Sequence, residues 1–156
     1  MPDNIAAGGR GQAQPHRGPN TTTLLGAAYQ ALGMEIVRGV VAAGFPQRPA
    51  HSAVFANIDR EGTRPSDLAA RANMTPQAMG ELIDDLEKLG YVRRTPHPAD
   101  RRAKLVVLTA KGHRCIDAGL RTIAAIEKRL RDELGARRLA DLQDAAQRII
   151  GSWSRA

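Results

Sequence analysis

The apolar positions of this chain change period along its length, and each change marks an element. Beyond Thr75 the apolar residues Met79, Leu82, Ile83, Leu86 and Leu89 recur at i, i+3, i+4, i+7 and i+10. That spacing places them in one stripe and predicts a helix with a single buried face. Thr75 suits the N-cap, Pro76 the first helical position and Gly90 the C-terminal stop. Just upstream, Leu68, Ala69 and Ala72 mark a shorter helix that begins at Pro65 or Ser66, with Asn73-Met74 as the connection. Downstream, residues 91–95 and 104–108 read as two strands. Residues 96–103 between them are too many for a tight turn and predict an extended hairpin.

The flanks are helical. Residues 21–43 are apolar nearly all round, through Leu24, Leu25, Ala28, Ala31, Leu32, Ile36 and Val40. Such a helix is buried on most sides, and in a small protein a subunit interface is the expected reason. Gly44-Phe45-Pro46 ends it, and Pro49 opens a second helix over residues 49–59 with Val54, Phe55 and Ile58 inward. After the strands, Thr109 caps a helix over residues 110–134 whose inward stripe is Ile116, Leu120, Ile123, Ile126, Leu130 and Leu134. Gly135 breaks it. A last helix over residues 136–153 turns Leu139, Leu142, Ala146, Ile149 and Trp153 inward.

The expected fold is therefore mainly α with a small β-hairpin wing (α+β). A winged helix-turn-helix over residues 49–109 is flanked by a dimerisation helix (21–48) and C-terminal dimerisation helices (110–156). Residues 1–20, rich in Gly, Pro, Gln and Asn, have little to bury and predict a disordered tail. Its Arg10, His16 and Arg17 are read as uninvolved.

Charge sharpens this picture. The chain has 156 residues and a formal net charge of +7. Residues 1–90 carry 8 basic and 9 acidic side chains, whereas residues 91–156 carry 15 and 7. The basic excess starts in the strand pair and favours a polyanionic partner. A single cysteine, Cys115, excludes an intramolecular disulfide and a cysteine cage for zinc. His113 lies two residues from Cys115, on a different helical face, so a metal pair is not expected. Cys115 is read as packing, with a redox sensor as the alternative. Gln30, Glu35 and Arg38 interrupt the first apolar run, so a soluble cytoplasmic protein is expected, with no membrane partner.

Two short helices joined by a tight turn and followed by a hairpin with a basic tip can grip duplex DNA. The second helix enters the major groove by its N-terminal end, and the hairpin reaches the adjacent minor groove. The exposed face of that helix holds Thr75, Pro76, Gln77, Gly80, Glu81 and Asp84. Gln77 can take an adenine edge or a phosphate. Between residues 73 and 90 there are four acids (Glu81, Asp84, Asp85, Glu87) and one base, Lys88. Acids in a groove repel phosphates unless they accept from cytosine amines or lie outside it. Affinity is thus expected to lean on the helix N-terminus, Arg64, Arg71 and the wing.

The stretch Arg64-Pro65-Ser66-Asp67-Leu68-Ala69, then Met74-Thr75-Pro76-Gln77, Leu86-Glu87-Lys88-Leu89-Gly90-Tyr91-Val92-Arg93-Arg94, Asp100-Arg101-Arg102 and Leu108-Thr109-Ala110-Lys111-Gly112, resembles the multiple antibiotic resistance regulator (MarR) family. The order of elements is similar over residues 21–153. The resemblance implies a homodimer in which each winged domain reads half of an inverted repeat in double-stranded DNA. It implies repression of efflux or catabolic genes and release by a small aromatic or phenolic effector, or by oxidation. It also implies that Asp100 braces the wing and that Arg102 enters the minor groove. The chain departs from the family at Gly80 and Glu81, where many relatives carry Arg or Lys.

The expected DNA-binding set is Arg64, Arg71, Thr75, Pro76, Gln77, Gly80, Glu81, Arg94, Asp100, Arg101, Arg102 and Lys104. Tyr29, Met34, Phe45, His51 and Phe55 are candidates for an effector pocket, with a place in the core as the first reading of each. No catalytic set, metal site or cofactor motif is read, so an enzyme is not expected. Two other functions compete: a dimeric winged-helix interaction module with weak or lost DNA binding, and a metal- or redox-responsive sensor.

Overall fold

Asn20 opens the first helix, with its Oδ1 accepting from the Thr23 N–H at 2.9 Å, and α1 then runs Thr21–Ala42. The computed structural model describes residues 18–153, and the side chains of Arg101 and Arg102 fall outside the description. Residues 1–17 of the expected tail, with Arg10, His16 and Arg17, also lie outside it. The remaining elements are a 3-10 turn at Pro49–His51, α2 (Ser52–Phe55), α3 (Pro65–Arg71), α4 (Pro76–Lys88), β1 (Val92–His97), β2 (Asp100–Leu108), α5 (Ala110–Leu134) and α6 (Ala136–Trp153). The fold is mainly α with a two-stranded antiparallel wing, as expected from the pattern.

The core is the winged unit, with α1 and α5 lying along it. Val54, Leu68, Met79, Ile83, Leu86, Tyr91 and Val106 are fully buried. The stripe read on the fourth helix thus faces inward, each large side chain contributing about 1.5–3 kcal/mol on burial. Thr63 adds a short third edge to the wing through reciprocal backbone bonds with Val106 at 2.9 and 3.0 Å.

A compact joint ties α4, the wing and α5 together. The Tyr91 carbonyl accepts from the Thr109 N–H at 2.9 Å, and Thr109 Oγ1 donates to the Gly90 carbonyl at 2.6 Å while lying 3.1 Å from that of Tyr91. Thr109 Oγ1 also caps α5 by accepting from the Gly112 N–H at 3.1 Å. Lys111 Nζ donates to the Leu89 carbonyl at 2.7 Å and lies 4.8 Å from the Tyr91 ring centroid. The Tyr91 hydroxyl donates to the Pro46 carbonyl at 2.9 Å, and its ring meets Phe55 edge-on at 5.9 Å. The segment that carries the family resemblance is therefore the hinge of the fold.

Two expectations about elements fail. The second helix was expected over residues 49–59, but α2 ends at Phe55. Asn57 competes for the backbone: its side-chain amide donates to the Ala53 carbonyl at 2.8 Å, while Arg71 donates to its own carbonyl at 2.9 Å. The wing was expected as an extended hairpin with strands at 91–95 and 104–108 and residues 96–103 between them. Instead the strands run outward until His97 pairs with Asp100, leaving Pro98 and Ala99 as a tight turn. The excess length is absorbed in a bulge, because Pro96 pairs with Lys104 while its neighbour His97 pairs with Asp100. Proline has no N–H to give the ladder, so an irregularity beside it is physically favoured. Arg101 and Arg102 belong to this bulged part of β2 and not to a loop.

The long helices leave much apolar surface outside the chain. Leu120 and Ile123 of α5, and Leu142, Ile149 and Trp153 of α6, are exposed although their spacing reads as an inward stripe. The same holds for Leu24, Leu25, Tyr29 and Leu32 of α1. By length and composition α1 is apolar enough to cross a bilayer, but in this fold it packs along α5. That crossing is close: a Cβ on Gly39 would lie 2.4 Å from Thr122 Oγ1.

Candidate nucleic-acid interface

The α3–α4 pair is a helix-turn-helix built by local rules. Pro65 starts α3, and Asn73 takes a left-handed φ of 51° in the turn, a conformation its short polar side chain tolerates. Thr75 Oγ1 then accepts from the Ala78 N–H at 3.2 Å and starts α4. Opposite the buried stripe, Thr75, Pro76, Gln77 and Glu81 are exposed, and Gly80 is partly so. The Gln77 amide donates to Glu81 at 3.4 Å across one helical turn.

The acidic character of α4 is largely neutralised from its flanks. Arg94 of β1 bonds Asp84 at 2.7 Å and also pairs with Glu87, while its backbone N–H donates to Glu87 at 2.8 Å. Burial works against the Arg94 charge, but its bonds to Asp84 and Glu87 outweigh that and hold the guanidinium more firmly protonated than usual. On the other flank Arg48 pairs with Asp85, and Lys88 lies 4.0 Å from it. Three of the four acids are therefore matched with cations, and Glu81 alone among them has no cation partner among the described residues.

Other candidates divide by position. Arg64 is the exposed N-cap residue of α3, and Lys104 is exposed on β2. Asp100 opens β2 opposite His97. Arg71 is exposed but bonds Asp59 at 2.9 Å as well as the Asn57 carbonyl. Arg94, one of the expected DNA-binding residues, is half-buried and faces the α4 carboxylates Asp84 and Glu87. Arg101 and Arg102 have backbones on β2, next to the turn.

The effector candidates also separate. Tyr29, Met34 and Phe55 line one open cleft of about 1040 Å3 between α1, the 3-10 turn with α2, and α5. Cys115 and Gln47 share its wall, and Gln47 Oε1 is buried with no hydrogen-bond partner among the described residues. Phe45 and His51 are not in that wall. Phe45 packs 6.5 Å from the Tyr91 ring. His51 is buried, its Nδ1 accepting the Arg48 backbone N–H at 3.3 Å and its Nε2 lying 3.8 Å from Asp85. Burial first, and the Arg48 charge second, lower its pKa, so the ring is held neutral. Burial pushes the Cys115 thiol up to about 11, which opposes the thiolate that redox sensing needs. Among the described residues no three His, Cys, Asp or Glu side chains gather as a metal site.

Sequence reasoning missed Arg48, which reaches Asp85 from 37 positions away. It also missed the tie between Glu87 and Arg94, for which opposite charges across the Gly90 turn were the available signal.

Comparison with known proteins agrees with this geometry. The family model described as MarR family matches residues 47–103. An HTH-type transcriptional regulator of Mycobacterium bovis is 34% identical over 88 residues, covering 56% of this chain and 56% of that protein. The chain thus spans about half the length of the curated relatives it matches. A MarR-family transcriptional regulator from Rhodococcus sp. RHA1 superposes with a TM-score of 0.66 at 25% identity, over 82% of this chain and 90% of that one. CouR from Rhodococcus jostii RHA1, solved bound to p-coumaroyl-CoA, superposes with a TM-score of 0.64 at 26% identity, over 82% and 90%. The curated relatives are named as transcriptional regulators and not as enzymes. Over residues 47–103 the chain is similar to the MarR family, and its fold superposes on that of a MarR-family regulator.

Proposed function

We propose that the chain is a cytoplasmic, homodimeric transcription regulator, acting as a repressor that binds an inverted-repeat operator in duplex DNA. The observation that carries this reading is the state of α4. Thr75, Pro76, Gln77 and Glu81 on its outer face are exposed, while Arg94 and Arg48 neutralise the acids on either side. That removes most of the repulsion which motivated an interaction module without DNA binding. In this reading α4 enters the major groove, Arg64 and Lys104 meet phosphates, and the bulged wing with Asp100, Arg101 and Arg102 approaches the minor groove.

The apolar surface of α1, α5 and α6 supports a dimer. Exposed Leu24, Leu25, Leu142, Ile150 and Trp153 are more than a monomer of this size ordinarily leaves in water. The cleft lined by Tyr29, Met34 and Phe55 is the place for a small organic effector. Its unpartnered Gln47 Oε1 favours a ligand with a hydrogen-bond donor. Selection of duplexes from a random pool, followed by a mobility shift, tests the function. Enrichment of an inverted repeat supports it, and absence of any retained duplex at low salt overturns it. Sedimentation at micromolar concentration tests the dimer, which a species of only 16.8 kDa would exclude.

A further inference from the structure

Glu81 is the odd member of the acids on α4. Asp84, Asp85 and Glu87 each have a cation within reach, whereas among the described residues Glu81 has only the Gln77 amide. It is exposed, one turn above Gln77 on the face opposite Met79, Ile83 and Leu86. A bare carboxylate among phosphates is repulsive, and what repays it in the major groove is a donor. Cytosine presents one there, its N4 amine, and a carboxylate is the side chain that accepts from it.

Gly80, beside Glu81, points the same way. Glycine in mid-helix loses more backbone entropy on folding than alanine does. Internal packing does not require it, since a Cβ at Gly80 would meet nothing within 4 Å. Its missing side chain leaves the helix surface open beside Glu81.

We propose that Glu81 is a specificity-determining residue that selects a cytosine in each operator half-site, with Gly80 giving the clearance for that approach. Gln77 is the oriented neighbour: donating one N–H to Glu81 leaves its carbonyl oxygen and second N–H for an adjacent base. This inference rests on the DNA-binding reading above.

Random-pool selection with wild type, Glu81→Ala and Glu81→Gln tests it, with thermal melts confirming the fold of each variant. Wild type should enrich a C·G pair at one fixed position of each half-site. Replacing that pair should weaken binding about tenfold per half-site. Glu81→Ala should lose the preference at that position alone and bind scrambled duplex at least as well as wild type, since a negative charge is gone. Glu81→Gln should move the preference toward A·T. Gly80→Ala should melt higher than wild type yet bind the selected duplex more weakly. An unchanged cytosine preference in Glu81→Ala overturns the inference and leaves the DNA-binding reading standing. Failure of wild type to enrich any duplex overturns both.

Discussion

Replacing Gly112 by alanine sets helix propensity against space, and the two predict opposite signs. On propensity alone, alanine at the third position of α5 stabilises by up to about 1 kcal/mol. A Cβ there would stand 2.1 Å from the Tyr91 carbonyl oxygen and 3.1 Å from Leu108 Cδ2. Carbon–oxygen contacts normally lie at about 3.3 Å or more, so the joint must open by over about 1 Å. The obstacle is a backbone carbonyl that accepts the Thr109 N–H at 2.9 Å, so it cannot swing aside without losing that bond. Overpacking of this kind costs about 1–3 kcal/mol. Losing one Thr109 bond costs about 1 kcal/mol more. With the propensity gain set against them, the net expectation is a destabilisation of about 1–3 kcal/mol. Urea unfolding at fixed protein concentration measures it, with the concentration held because subunit association contributes to stability. A midpoint equal to or above wild type would show that helix propensity wins and that the joint has slack, contrary to the geometry.

Arg102→Ala should weaken operator binding by about 1–3 kcal/mol and make the log–log salt dependence shallower by about one unit, with a smaller effect from Arg101→Ala; fluorescence titrations at several salt concentrations compare them, and equal affinities would remove the wing arginine from recognition. Arg94→Ala should lower stability by about 1–2 kcal/mol, since two partly exposed carboxylates lose their partner. It should also weaken DNA binding, and adding Asp84→Asn and Glu87→Gln should recover part of the loss; no recovery would make Arg94 a direct phosphate contact. The Cys115 thiol ionises near 9 when unfolded and about 11 when folded. Stability should therefore be complete below pH 9 and fall as pH rises through 9–11. Cys115→Ala should flatten that fall in chemical unfolding at each pH, and Cys115→Ser should leave the response of DNA binding to peroxide unchanged. An oxidant response that disappears with the serine would reverse the packing assignment.

The parts of the fold legible in the sequence were those fixed by neighbours. Thr75, Pro76 and the Met79–Leu82–Ile83–Leu86 stripe define α4 within one stretch of chain, and the structure follows them. Thr109 and Gly135 bound α5 in the same way. The wing tip was not legible, because residue counting cannot reveal a bulge. Its register depends on Pro96 meeting Lys104 while His97 meets Asp100. The site was half legible. Exposure of Gln77 and Glu81 follows from the stripe, whereas the neutralisation of Asp85 by Arg48 depends on a fold that brings distant segments together. The pairing of Arg94 with Asp84 and Glu87 was not legible either, because it depends on β1 folding back along α4.

The division of α4 into a buried stripe, two braced flanks and an open edge has an evolutionary consequence. Residues 77, 80 and 81 carry none of the packing and none of the flanking ion pairs. They can drift without endangering the fold, whereas changes at Arg48, Glu87 or Arg94 disturb the helix itself. A lineage built on this scaffold can therefore acquire new target sequences in single steps, each tested by selection on a protein that remains folded.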